Sequence, residues 1–467
     1  MSNNPSLFSG RRRILADRSD AIALSRAIRR QLAPERSAEL RQTLDQQHPA
    51  DLADAMLFLE PAEERTVFAL LTTAEAAEVL DEVDRATEAN LLSGTTSEAL
   101  ARILQELPAD EGADVVGGLR ADAAERVLSL TDGETARDIR ALLAYPHDTA
   151  GGIMSLGYID VPETATQAQA IARFREKRDA DHIFYVYVVN AAGELLGTVD
   201  LRSLLNAEPE TPVRDLMSGD LITVWPECDQ EQVAAIFARY DLTALPVVRS
   251  VTDSRLLGVI TADDIIDVIQ EEASEDIAHL TGSDAEELEK KSPIEVAKLR
   301  LPWILSTMFI ELLAGFVIRF FNPTLQRYLL LASFMPIISA ISGNTGLQSA
   351  AIIIRGLSTG QIQLSHWRTA LLRQVLTTII LAGVCAGSLG IIGGIWDGHW
   401  AFGLVVFLGM FLAVNIAGVV GTVVPLLSKR AGFDPALTAG PFETAFQDVV
   451  GISIFLSLAS LLLRLLR

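Results

Sequence analysis

Cysteine is nearly missing. Cys228 and Cys385 are the only two in 467 residues, too few for a disulfide scaffold or a thiolate metal site. Histidine is also sparse: His48, His147, His182, His279, His366 and His399 are dispersed, without an HExxH or other paired arrangement. That argues against a metal hydrolase, and no nucleophile–base arrangement stands out, so an enzyme is not expected. Positive charge is scarce in the first 300 residues, which hold 29 Lys+Arg against 55 Asp+Glu. A surface that acidic excludes nucleic acid as a partner, because phosphate contacts need clustered Lys and Arg. The opening segment, residues 1–20, carries basic residues with no apolar run behind them. It reads as a flexible cytoplasmic tail rather than a signal peptide.

What is abundant is apolar sequence, and it is concentrated. Five stretches, near 301–321, 327–354, 370–395, 400–427 and 443–466, each provide the roughly 20 residues that cross about 30 Å of hydrocarbon. The back part carries a net +4 against −26 in front. Lys298, Arg300, Arg355, Arg368, Arg373, Lys429 and Arg430 favour a cytoplasmic N-terminal half and an outside C-terminus, in a multi-pass cell-membrane protein. Arg319, Arg327, Arg464 and Arg467 oppose that bias. Polar residues inside the spans are the pore-lining candidates: Glu311 in the first, Asn344 and Gln348 in the second, Asn415 in the fourth and Asp448 in the fifth. A carboxylate at membrane depth is costly unless it is paired or faces a wet cavity, and no basic residue lies centrally in any span. A cation is the expected cargo. The run PIISAISGNTGLQSA (336–350) is a candidate for freeing backbone carbonyls toward a pore, or for a kink repaired by neighbours. Asp434 before Pro435 predicts a helix N-cap at the mouth, and Gly440-Pro441 predicts a break before Asp448.

The front part divides by pattern. Residues 21–145 read as short amphipathic helices, with PADLAD (49–54) loosely echoed by PADEGAD (108–114), predicting a small superhelix of helix hairpins. Asp110 and Asp114, four apart, share one helix face. Beyond them Met154-Ser155 recurs as Met217-Ser218, and LLGTVDLRSLL (195–205) recurs as LLGVITADDIIDVI (256–269). Strand, helix, strand, turn, strand, helix, repeated, predicts paired α/β modules. The acidic run 271–291 lies directly upstream of the first span. The expected division is a tail (1–20), an all-α superhelical domain (21–145), α/β modules (146–213 and 214–270), an acidic connecting helix (271–298) and a five-span α-helical membrane domain (299–467).

The tandem modules resemble two CBS domains, with GVITADDII (258–266) the most typical signature. In their larger order, HPADLA (48–53), YPHDTAGGIM (145–154), SGNTGLQS (342–349) and DPALTAGPFETAFQD (434–448) resemble the MgtE family of magnesium transporters over nearly all of the chain. That resemblance implies a homodimeric channel in the lipid bilayer, closed by cytoplasmic Mg2+, with Mg2+ as both substrate and regulatory ligand. It implies the pore carboxylate at Asp448 and a cytoplasmic-entrance carboxylate at Asp434. Its regulatory acids fall on Asp110, Asp114, Asp241, Asp264, Asp267, Glu272, Glu275 and Asp276, all carboxylates here.

The residues support a similar mechanism independently. Carboxylates that repel across interfaces are drawn together when Mg2+ bridges them, directly or through retained water. Preferential binding to the compact state supplies the coupling. Oxygen ligands alone leave open a broader divalent-cation transporter or an ion-coupled carrier. A CBS pair also leaves open an ATP or other adenosine-ligand site, with Asp200 or Asp263 near the ribose.

Overall fold

The structure, a computed structural model, describes residues 18–33, 36–176, 184–281, 283 and 293–465. The expected tail, but for its last three residues, and residues 282 and 284–292 of the expected connecting helix lie outside them. The chain divides into two compact units, Met1–Ile266 and Asp267–Arg467.

In the first unit, short helices run from Arg18–Gln31 to Thr135–Leu142. Their ends are set by local chemistry. Thr72 and Glu75 form a capping box, with Glu75 N donating to Thr72 Oγ1 at 3.3 Å and Thr72 N to Glu75 Oε2 at 2.8 Å. His48 caps the helix that opens with Pro49, accepting from Ala50 N at 3.3 Å. Helices mostly pack on the one two places ahead: Arg18–Gln31 on Pro49–Met56, that helix on Thr73–Glu82, and so on to Ala121–Leu130. This is the predicted superhelical pattern, since each short helix hides its apolar face only by stacking.

The α/β part has a three-stranded sheet of β1 (Asp160–Pro162), β2 (Tyr185–Val189) and β3 (Leu195–Asp200), with β1 parallel and β3 antiparallel to β2. A second sheet pairs β4 (Ala244–Ser250) with β5 (Asp253–Thr261) antiparallel. The repeated motifs cross over. Ser155 bridges Val259 of β5, while Ser218 bridges Thr198 of β3. Gly258 and Gly197 permit it: a Cβ on Gly258 would lie 2.8 Å from Met154 Sδ and 2.9 Å from the Ser155 carbonyl oxygen. One on Gly197 would lie 2.7 Å from the Ser218 carbonyl oxygen and 2.9 Å from Met217 Sδ. The repeated Met-Ser and Leu-Leu-Gly motifs are therefore two halves of one reciprocal contact.

The acidic helix starts earlier than expected. It spans Ala262–Thr281, because the last strand runs directly into it and Asp264 caps its first turn.

In the second unit five helices are long and apolar enough to cross a membrane: Pro293–Phe320, Leu331–Ser358, Trp367–Asp397, Trp400–Ala431 and Pro441–Leu465, the first to fifth spans. The fourth packs on the second, third and fifth, and the fifth also packs on the first and second. Phe334, Phe402 and Phe455 are fully buried among them. The second span is a continuous helix through Pro336, Gly343 and Gly346. The expectation that this run frees backbone carbonyls is thus corrected. Its glycines serve close helix approach: a Cβ on Gly343 would meet Thr444 Cγ2 at 3.2 Å, and one on Gly346 would collide with the Gln447 amide.

Candidate cation sites

Two groups of carboxylates stand out, one in each unit. In the first unit Asp110 and Glu111 lie in the first turn of helix Ala109–Gly117. Asp110 accepts a hydrogen bond from Ser155 and lies near Asp81, while its Oδ1 is buried without a donor among the described residues. Burial pushes its carboxyl upward, more than donors from Ser155 and the backbone pull it down. Glu111 is pushed up by burial and by Asp81, Asp110 and Asp114. Glu88 rises to about 7 through burial and the charge of Asp114.

Asp264 joins this group from the start of the connecting helix. Thr261 donates to its Oδ2 from N at 3.0 Å and from Oγ1 at 2.5 Å. Burial, then Asp110 and Asp263, nevertheless raise it to about 7. Carboxyls held this close without a cation disfavour their own ionisation. Among the described residues no three His, Cys, Asp or Glu side chains close on one point as a metal cage.

The structure brings Asp110 and Asp264 together and sets Asp114 beside Glu88. Asp241 stands apart, exposed in a left-handed conformation (φ 50°) at the end of helix Gln230–Tyr240. Asp200 spends both oxygens on its helix cap, accepting from Ser203 N at 2.8 Å and Ser203 Oγ at 2.7 Å. Asp81, Glu88 and Glu111 went unselected in the sequence, where solvated acids and enclosed ones look alike.

In the second unit, the end of the connecting helix touches the membrane helices. Asp267, Glu272 and Glu275 lie along it, the last with Oε1 3.7 Å from His279 Nε2. Asp276 Oδ2 accepts from Ser358 Oγ at 3.1 Å. His279 Nδ1 lies 3.1 Å from Asp434 Oδ2, while Asp434 Oδ1 accepts from Ala436 N at 2.8 Å. Asp434 is thus the predicted N-cap of the short helix Pro435–Thr438. Leu280 packs on Ala350, Ile354, Ala436 and Ala439.

Deeper in, Glu311 and Asp448 form a carboxyl pair between the first and fifth spans. Asp448 Oδ1 is buried, with no donor among the described residues. Beside Glu311 is an open, mostly apolar hollow of about 320 Å³ lined by Leu280, Thr307, Glu311, Leu347, Gly440, Thr444 and Ala445. Six waters occupy about 180 Å³ at roughly 30 Å³ each, so a hydrated cation has room there. Asn344 and Gln348 are exposed on one face of the second span, one turn apart. Asn415 is used in packing: its Nδ2 donates to Phe411 O at 2.8 Å and its Oδ1 accepts from Thr378 Oγ1 at 3.4 Å. Glu443 and Gln447, both 3% exposed, were not among the sequence candidates. Their spacing of four was the available signal.

Residues 335–458 match the divalent cation transporter family MgtE, 47–148 the MgtE intracellular N domain, and 150–210 and 213–271 the CBS domain. A magnesium transporter MgtE of Thermus thermophilus is 36% identical over 431 residues, 91% of this chain and 95% of the relative. One from Bacillus subtilis is 34% identical over 333 residues, 71% of this chain and 73% of the relative. Among solved structures, a cytosolic domain of the Mg2+ channel MgtE in complex with ATP is 35% identical. It covers 53% of this chain and 99% of its own, with a TM-score of 0.49. With a relative this similar along almost its whole length, the chain belongs to the MgtE family of magnesium transporters.

Proposed function

We propose that this chain conducts Mg2+ through a pore built by two copies, opened and closed by Mg2+ at its cytoplasmic carboxylates. The observation that carries the reading is the Glu311–Asp448 carboxyl pair, with Glu311 lining an open hollow that has room for a hydrated cation. Acceptor oxygens that, among the described residues, face no Lys or Arg attract a hard cation that retains its water. Asp448 holds that hydrated ion, and Asn344 and Gln348, on the open face of the second span, turn toward a second copy. The magnesium transport named for the Thermus and Bacillus relatives supports magnesium as the cargo.

Regulation is assigned to Asp110, Asp264 and the acids of the connecting helix. Without Mg2+ the Asp110–Asp264 repulsion opposes the compact arrangement; with Mg2+ it is relieved. Asp434 sits at the cytoplasmic entrance and the C-terminus outside.

The test is Mg2+ flux into liposomes containing the purified chain, with cytoplasmic-side Mg2+ varied at constant driving force. Asp448→Ala should abolish flux while the protein keeps its melting temperature and dimer size. Full flux in that variant would remove Asp448 from the pathway.

A further inference from the structure

Glu443 and Gln447 lie one turn apart on the fifth span, and both are almost wholly enclosed, at 3% exposure. Gln447 Nε2 donates to Glu443 Oε1 at 2.7 Å. That bond leaves Glu443 Oε2 and Gln447 Oε1 buried, with no donor among the described residues. Helix glue alone would not do this, because a pair evolved only to hold helices together would satisfy its acceptors.

The neighbouring helices make room for the pair. A Cβ on Gly421 of the fourth span would lie 2.9 Å from Glu443 Oε1 and 2.3 Å from the Gly346 carbonyl oxygen. One on Gly346 of the second span would lie 1.9 Å from Gln447 Nε2. Carboxylate and amide, both from the fifth span, therefore lie against the backbone of the second and fourth spans, in room left by two absent side chains. Among the described residues, Lys and Arg in this unit lie near span ends. A buried carboxylate in such a place demands a positive charge.

We propose that Glu443 and Gln447 form an enclosed site for one dehydrated monovalent cation of sodium size, separate from the hydrated divalent cation assigned to Asp448. One formal negative charge matches one monovalent cation. A divalent cation of magnesium size gives up water reluctantly and is a poor fit for so closed a site. Carboxylate and amide oxygens replace the shell of a monovalent ion more readily. Because Gln447 and Thr444 flank the turn that carries Asp448, occupancy at Glu443 fixes how that turn faces the cavity.

The experiment is equilibrium binding of radioactive ²²Na⁺ to the purified full-length chain in detergent, with choline holding ionic strength constant. The expected result is saturable binding near one ion per chain, retained in Asp448→Ala and not displaced by Mg2+. Binding should weaken at least tenfold in Glu443→Gln and in Gln447→Leu. The wild-type and Asp448→Ala measurements decide the matter even if a Glu443 variant fails to fold. No saturable ²²Na⁺ binding by the wild type overturns the proposal. Binding displaced by Mg2+ and lost in Asp448→Ala also overturns it, by placing sodium in the pore. So does a melting temperature that responds to pH through Glu443 but not to Na⁺, which assigns the charge to a proton.

Discussion

Asp264→Asn should stabilise the Mg2+-free protein, although Asp264 caps a helix. Asparagine keeps a carbonyl oxygen for the two Thr261 donors and removes the charge. In the folded chain burial, with Asp110 and Asp263 close by, raises this carboxyl from 3.8 to about 7. At ~1.4 kcal/mol per pH unit, that difference sets a ceiling of about 4 kcal/mol on the cost of ionising Asp264 in the native state. The sign follows from proton counting. Between pH 3.8 and about 7 the native state holds more protons at this site than the unfolded chain, so stability falls as pH rises through that window. Above it the penalty is complete; at pH 5 about 2 kcal/mol of it remains. Thermal melts of the full chain in detergent with EDTA should show the variant several degrees more stable at pH 8, with a smaller advantage at pH 5. Added Mg2+ should raise the wild type at pH 8 and the variant much less. A variant no more stable than the wild type at pH 8, or an advantage that grows toward pH 5, would refute the reasoning.

Three further outcomes test other contacts. Gly258→Ala forces a Cβ against Met154 Sδ and the Ser155 carbonyl oxygen, and should cost about 1–3 kcal/mol in melts of the cytoplasmic part. Gly219→Ala, whose nearest neighbour would be the Leu196 carbonyl oxygen at 3.9 Å, is the control and should stay within ~0.5 kcal/mol. His279→Ala removes the contact to Asp434; at ~1.5 kcal/mol for a bond to a charged group, residual flux at high cytoplasmic Mg2+ should rise about tenfold in the liposome assay. Asn415→Leu should leave flux within about twofold and cost under ~1 kcal/mol, since its bond to Thr378 is a long interhelical one. Loss of flux there would return the amide to the pore.

The five spans were legible because a run of apolar residues is a statement about solvent, and solvent is what decides a membrane helix. The paired modules were legible for a similar reason, since strand and helix alternate with repeated turn signals. The crossing of Met154-Ser155 onto β5 and of Met217-Ser218 onto β3 was not, because each rests on a single isolated bridge and a glycine whose need for space appears only in three dimensions. The run that holds Gly343 and Gly346 suggested freed carbonyls or a kink repaired by neighbours. The helix stays whole because the fifth span fills the space with Thr444 and Gln447. Glu443 and Gln447 escaped selection because polar residues near the start of a span usually reach water. Their burial depends on glycines in two other helices.

The connecting helix gives the proposed regulation a physical scale. Its 20 residues would extend about 30 Å at 1.5 Å per residue. Asp264 is in its first turn, and Asp276 and His279 near its end bond to Ser358 and Asp434. Useful allosteric coupling is about 1–3 kcal/mol. The ionisation cost at Asp264, with a ceiling of about 4 kcal/mol, is large enough to supply it once Mg2+ neutralises the charge. The contacts at the far end must then be weak enough to break for a similar amount. The far contacts are few: an imidazole–carboxylate bond, a hydroxyl–carboxylate bond, the two worth about 1.5–3 kcal/mol each at most, and the packing of Leu280. A large apolar interface would not meet that requirement, since burial at ~25 cal/mol per Å² would lock the helix in place beyond the reach of one regulatory cation.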